Sequence, residues 1–150
     1  MKREETVDFH IRSAWHAIAR MYNQEAAQYD ATMAMGFVLL NIDSEEGAPA
    51  TKIAPQMGLE ARSLTRILKT LEDRGIIQRK ADPVDKRSVR IFLTKEGKKR
   101  KEKARETVVR FNEVVREEIS ASKLNTFFEV IQQINKLAER SNVYEKIDNS

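Results

Sequence analysis

The apolar positions recur with helical spacing over most of the chain. From Thr6 to about Gln28, Val7, Ile11, Ala14, Trp15, Ile18, Met21 and Tyr22 fall three and four residues apart. That pattern predicts a first helix with Thr6 as its N-cap. Met33 to Ile42 is apolar on nearly every face, which predicts a central buried helix capped by Asp30 or Thr32. A polar loop, Asp43 to Pro49, follows. A short third helix is expected over Ala50 to Met57, with Pro49 in its first turn and Gly58 at its left-handed end. Pro55 removes one backbone bond there and predicts a kink or a very short regular part. The fourth helix spans about Glu60 to Arg74 and is closed by Gly75, with Leu64, Ile67, Leu68 and Leu71 as its apolar stripe.

The period then changes from helical to alternating. Ile76 to Lys80 and Ser88 to Leu93 predict two short strands, the second alternating Val89, Ile91 and Leu93 with Ser88, Arg90 and Phe92. The link between them, Ala81 to Arg87, is too long for a two-residue hairpin and too charged to bury. Thr94 is placed to cap a long helix from Lys95 to about Ile119, basic in its first turns and carrying Val108, Phe111 and Val115 later. A last helix starts at Ser120 or Ser122, with Leu124, Phe127, Phe128, Ile131, Ile134 and Leu137 in register. The tail after Ser141 is polar and expected to fray.

At about 100° per residue, Arg62, Arg66, Lys69 and Asp73 lie opposite the leucine stripe of the fourth helix, with Thr65 beside them. Ser63 and Thr70 lie on the other flank. Such a face suits a DNA major groove, where Arg can bond guanine O6 and N7 and Thr can bond several base edges. It also suits an ordinary surface helix. The helix before it, joined through Gly58, tips the balance toward a helix-turn-helix unit. At the turn between the strands, Lys86 and Arg87 suit a narrow, electronegative minor groove. Asp85, two residues earlier, could orient the Arg87 guanidinium through a fork-like salt bridge.

Charge sharpens this picture. The net charge is only +4, yet residues 60–103 hold 15 Lys/Arg against 7 Asp/Glu, while both flanking segments are net negative. A basic patch confined to one third of the chain is the footprint of a phosphate-backbone binder; the plainer alternative is a solvated face. Hydrophobic residues are 41% and charged residues 33%, as in a soluble globular domain. There is no apolar run of the roughly 20 residues a membrane span needs, and Met1-Lys-Arg-Glu-Glu does not lead into a signal-like segment. A cytoplasmic location is expected. The absence of cysteine excludes disulfides, thiolate metal sites and thiol switches.

Little suggests catalysis. His10 and His16 are six apart, so their side chains diverge by about 120° on a helix and do not form the i, i+4 pair of a helix-borne metal site. No glycine-rich phosphate loop, Gly-x-Ser-x-Gly turn or His-Glu-x-x-His run is present. The adjacent pairs Glu45-Glu46 and Glu117-Glu118 do not converge. No enzyme, metal or cofactor is expected.

The run Asp82-Pro83-Val84-Asp85-Lys86-Arg87-Ser88-Val89-Arg90-Ile91-Phe92-Leu93-Thr94-Lys95-Glu96-Gly97 resembles the wing signature of the multiple antibiotic resistance regulator (MarR) family. Upstream, Ile53-Ala54, Gly58, Leu64-Thr65-Arg66 and Leu71-Glu72-Asp73-Arg74-Gly75 fall where that family has its helix-turn-helix. The resemblance implies a mainly α fold with a small two- or three-stranded β-wing, extending over 1–150. Within it, 30–100 would be the winged helix-turn-helix, and 6–28 with 101–141 the dimerisation helices. Arg62, Ser63, Thr65, Arg66 and Lys69 would face the major groove, and Asp85, Lys86 and Arg87 would form the wing contact. Val7, Ile11, Phe127, Phe128, Ile131 and Ile134 would pack against a second copy. Two departures stand out: Glu60 where a small capping residue is usual, and Pro55 in the preceding helix.

The resemblance further implies a homodimeric, sequence-specific transcriptional regulator, a repressor on a palindromic operator of double-stranded DNA. A small aromatic or phenolic effector would bind near the first, second and fifth helices. Trp15 and Met35 are candidates to line that pocket, with core packing as their other role. The competing reading is a ligand- or protein-binding dimeric module that has lost specific DNA recognition.

Overall fold

The computed structural model describes residues 1–140 and 142–144. Ser141 and residues 145–150, to which most of the expectation of a fraying tail applied, lie outside the described residues. The chain divides into two compact units, Met1–Val108 and Val109–Ser150.

The first unit opens with a short 3₁₀ turn, Arg3–Glu5, that the sequence pattern does not reveal, and continues into α1, Val7–Ala27. Thr6 stands at the N-cap position, but its hydroxyl turns back and donates to the Arg3 carbonyl at 2.7 Å. It therefore closes the 3₁₀ turn instead of capping α1. In α2, Met33–Leu40, the Thr32 hydroxyl does accept from the Met35 N–H, and Val38 and Leu39 are buried.

A two-residue strand β1, Ala48–Pro49, leads into α3, Ala50–Met57. Pro49 is the N-cap of α3, just before its first turn. The helix runs through Pro55 and is closed by Gly58 at φ +64°, with the Leu59 N–H donating to the Ala54 carbonyl at 3.0 Å. Left-handed backbone favours glycine, and it lets the chain reverse into α4, Ala61–Asp73. Leu64, Leu68 and Leu71 of α4 are buried and Ile67 is half-buried, so the predicted stripe is the packed face.

Strands β2, Ile77–Ala81, and β3, Val89–Leu93, pair antiparallel from Ile77↔Leu93 to Ala81↔Val89. β1 joins the other edge of β3, giving the order β1-β3-β2. The third strand was hidden because two residues, one a proline, show no alternation. Ile91, in the middle strand, is fully buried. Val89 is 43% exposed despite sharing its parity, because it lies at the sheet end that becomes the turn. The core joins Ile91 and Leu93 to Ile42, Ile53, Leu71 and Ile76.

α5, Lys95–Glu118, starts in the first unit and ends in the second. The Thr94 hydroxyl accepts from the Gly97 N–H at 3.1 Å, as its cap role required, and lies 2.7 Å from the Gly75 carbonyl. In the second unit α6, Ala121–Ala138, is capped by Ser120, whose hydroxyl accepts from the Lys123 N–H. Leu124 is buried there, while Phe127 and Phe128 are exposed and Ile131 and Ile134 half-buried.

Candidate nucleic-acid interface

With the leucines of α4 facing inward, Arg62, Thr65, Arg66 and Lys69 are left exposed and Ser63 half-buried. Thr65 donates its hydroxyl to the Ala61 carbonyl at 2.8 Å, and Thr70 to that of Arg66 at 3.1 Å. The outward surface at Thr65 is thus a methyl group and an acceptor lone pair. Glu60 is the N-cap residue of α4, but its side chain makes no capping bond. A carboxylate there favours the helix dipole while opposing any incoming phosphate.

The wing turn is held by two aspartates. Asp82 Oδ1 accepts from the Val84 and Asp85 N–H groups at 2.9 and 3.0 Å, and its Oδ2 accepts from Arg90 at 3.2 Å. These donors, the two backbone N–H groups above all, hold the Asp82 carboxyl below its ordinary value of 3.8. Asp85 accepts from the Arg87 N–H at 3.1 Å and from the Ser88 hydroxyl at 3.0 Å. The expected fork between Asp85 and the Arg87 guanidinium does not form. Backbone and hydroxyl donors two and three residues away are nearer partners for a short carboxylate in a tight turn. The ion pair of the wing is Asp82–Arg90, with side chains only 13% and 22% exposed. Arg90 Nε also donates to the Glu46 carbonyl at 2.7 Å, which fastens the segment before β1 to the wing.

Pairing sorts the cations of the basic third. Arg74 pairs with Asp30, Arg79 with Glu72, and Lys98 with Glu45. Arg100 donates to the Tyr29 carbonyl and Lys101 to that of Ile42. Lys103 and Lys80 lie over the rings of Tyr29 and Phe92. Among the described residues, no intrachain partner is present for the side chains of Arg62, Arg66, Lys69, Lys86, Arg87, Lys95 and Lys99. Five of these lie on the outer face of α4 or at the wing tip. They are the charges most available to an external phosphate.

A cavity of about 720 Å³ opens among α1, α2, α4 and α5 within the first unit. Tyr22 and Phe37 line it, with ring centroids 6.0 Å apart in an edge-on arrangement. Burial pushes the Tyr22 hydroxyl above its ordinary 10.0, so it stays a neutral phenol. Met35 also lines the cavity, with Arg74, Arg100 and Lys103. Trp15 is not among the lining residues; it is 48% exposed, with its ring 6.3 Å from that of Phe37. The spacing of α1 gave its face but not how far along the helix the cavity reaches. His10 Nε2 lies 2.7 Å from the Glu4 carbonyl oxygen.

A sequence model of the MarR family matches residues 31–89, from just before α2 to the first residue of β3. The organic hydroperoxide resistance transcriptional regulator of Bacillus subtilis is 32% identical over 104 residues, 69% of this chain and 71% of that protein. The chain belongs to the MarR family. It is a winged helix-turn-helix regulator of transcription and not an enzyme. The HTH-type transcriptional regulator TtmR of Methylorubrum extorquens is 37% identical over 90 residues, 60% of this chain, which spans 46% of TtmR. The DNA complex of MepR from Staphylococcus aureus shares the fold, with a TM-score of 0.79 at 20% identity over 87% of this chain and 97% of that one.

Within the MarR framework, the sequence pattern missed the residues that brace the site. In the sequence Asp82 and Arg90 stand in the wing run with nothing to mark them as an ion pair. In the sequence Arg74 stands only at the end of α4 and in the Leu71–Gly75 run, yet its guanidinium bonds the Asp30 carbonyl. Asp30 takes a left-handed φ of +53°, so the α1–α2 turn and the end of α4 are fastened at a strained residue. No local spacing signals a contact between residues 44 apart.

Proposed function

We propose that the protein is a repressor that binds a palindromic operator as a homodimer, in the cytoplasm, and leaves it when a small aromatic ligand fills the cavity. The supporting observation is the distribution of unpartnered cations. Arg62, Arg66 and Lys69 on one helix face and Lys86 and Arg87 on one turn carry charge that no neighbour among the described residues neutralises. Together they supply the sequence-independent part of DNA affinity, while the arginines and Thr65 can reach base edges.

The dimer is supported by apolar side chains left in solvent. Val7 and Ile11 are 54% and 43% exposed in the first unit, and Phe127 and Phe128 are 55% and 39% exposed in the second. Exposed apolar clusters of this kind mark association surfaces, and a two-fold dimer matches a palindrome. The effector is supported by the volume of the cavity, which falls within the range of about 300–1,000 Å³ for small-ligand sites, and by its aromatic walls. An anionic group entering it would compete for Arg74 and Arg100 with the backbone carbonyls they now hold.

The test is a mobility-shift titration on the DNA upstream of the protein's own coding sequence, against a scrambled duplex, at several salt concentrations. Tighter binding to the upstream DNA at every salt concentration supports the proposal. Equal, weak binding to both at every salt concentration sinks it and favours a ligand- or protein-binding dimer without specific DNA reading.

A further inference from the structure

The apex of the wing is apolar. Pro83 and Val84 stand between Asp82 and Asp85, and Val84 is 95% exposed. A lone exposed valine on a slack loop would mean little, but this loop is braced. The Val84 N–H is committed to Asp82 Oδ1. The Asp82 N–H donates to the Ser88 carbonyl at 2.9 Å, and the Ser88 N–H to the Asp85 carbonyl at 3.0 Å. Pro83 has a fixed φ and no N–H to satisfy. Val84 therefore presents an isopropyl group, and no polar side-chain atom, on a turn whose shape is set before DNA arrives. Beside it, Lys86 and Arg87 supply the attraction.

We propose that Val84 is a specificity residue that rejects G·C pairs where the wing enters the minor groove. The proposal rests on the proposed function and takes the wing turn, with Lys86 and Arg87, as the part of the chain that meets the minor groove. In the minor groove, A·T and T·A pairs show only acceptors, and a G·C pair adds the guanine N2 amino donor. An isopropyl group pressed against that amino group strips its water and offers no acceptor in return. The amino group also holds the methyls away from the groove floor. Over A-tracts the groove is narrow and its potential negative, so its walls can meet the isopropyl group while Arg87 is drawn in. Arg87 supplies affinity, and Val84 makes that affinity conditional on base composition.

The experiment is selection of bound duplexes from random DNA with the full chain and with Val84→Asn, followed by titration of matched sites carrying A·T or G·C at the wing-contacted pairs. Asn places a carboxamide oxygen where it can accept from the N2 amino group. Its backbone N–H can still bond Asp82, and a thermal melt checks that both proteins are folded. The wild type should disfavour G·C at those pairs by about fivefold or more, the factor expected for one unsatisfied donor. Val84→Asn should erase most of that penalty while binding the A·T site within about threefold of wild type, since an exposed substitution costs little. A wild-type consensus without A·T preference at the flanks, or an equal G·C penalty in both proteins, overturns the role of Val84. A wild type that selects no consensus anywhere refutes specific DNA reading itself, which is a different failure.

Discussion

Replacing Arg87 by Ala tests whether the unpartnered cations are the ones DNA uses. The Arg87 guanidinium has no intrachain partner among the described residues, and its backbone N–H, bonded to Asp85 Oδ1 at 3.1 Å, survives the change. The fold should therefore lose no more than about 0.5 kcal/mol. DNA binding should lose one phosphate-neutralising charge per protomer. Each such charge contributes about 0.9 to the slope of log affinity against log salt, so a two-fold dimer should lose about 1.8 from that slope. Between about 50 and about 200 mM salt, the advantage of wild type over the variant should then shrink roughly tenfold. Arg79→Ala is the control. Arg79 is engaged with Glu72 at 3.3 Å and releases fewer counterions on binding, so its slope should stay closer to wild type. Fluorescence anisotropy on a labelled operator duplex across the salt range measures both. Parallel lines for wild type and Arg87→Ala would remove the wing from DNA contact. Equal flattening by Arg79→Ala would refute the use of pairing to sort the cations.

The packing and the charges give four further outcomes. Ile91→Ala empties a fully buried site in the middle strand and should cost about 2–5 kcal/mol in chemical denaturation; a loss below about 1 kcal/mol would mean the sheet is not part of the core. Gly47→Ala meets both a left-handed φ of +69° and the Ile91 carbonyl oxygen, which the new Cβ would overlap, so a loss of about 2–4 kcal/mol is expected, and an unchanged melting temperature would contradict that geometry. Because the folded Asp82 carboxyl lies below its ordinary 3.8, its contribution is fully present above that value and lost as pH falls through the lower folded value; in Asp82→Asn the amide protection of the wing should lose this acid dependence, and identical acid profiles would show that Asp82 does not brace the turn. Phe128→Glu places a charge on an exposed apolar position of α6 and should shift sedimentation toward monomer, whereas an unaltered distribution would exclude Phe128 from the interface.

The sequence carried the elements well where one period ran for several turns. The leucines of α4 were legible because burial at three- and four-residue spacing leaves one solution for which face turns inward, and with it the outward face of Arg62, Arg66 and Lys69. Gly58 was legible because its position at the end of α3 wanted left-handed backbone. β1 was not, since its two residues owe their strand character to pairing of Ala48 with Ile91, a contact made 43 positions along the chain. Thr6 failed as a helix cap for a similar reason on a small scale: the Arg3 carbonyl, created by an unforeseen 3₁₀ turn, was the nearer partner.

The wing shows most clearly which chemistry a one-dimensional reading can weigh. Asp82, Asp85, Lys86, Arg87 and Arg90 were all visible as charges, and proximity in sequence favoured the pair Asp85–Arg87. In the folded turn, a carboxylate that can reach a backbone N–H two or three residues on will take it, because that donor is already ordered and costs no side-chain entropy. Asp85 does so, and its neighbour guanidinium is released. Asp82 also takes two such donors but keeps its second oxygen for Arg90, which antiparallel pairing of Lys80 with Arg90 brings alongside. Register, rather than spacing, decides which arginine is held and which is available. The consequence is directional: an arginine fixed at the base of the wing sets its shape, and one left unpaired near its tip is available for an outside phosphate or base. Exchanging the two roles, by Arg90→Ala on one side and Arg87→Ala on the other, should separate loss of wing order from loss of DNA affinity. Arg90→Ala should lower protection of the Asp82, Val84, Asp85, Arg87 and Ser88 amides and weaken DNA binding with it, while Arg87→Ala should weaken binding with protection intact. Loss of protection in both variants, measured by hydrogen exchange, would show that the wing charges act as one network and that the division between brace and contact is wrong.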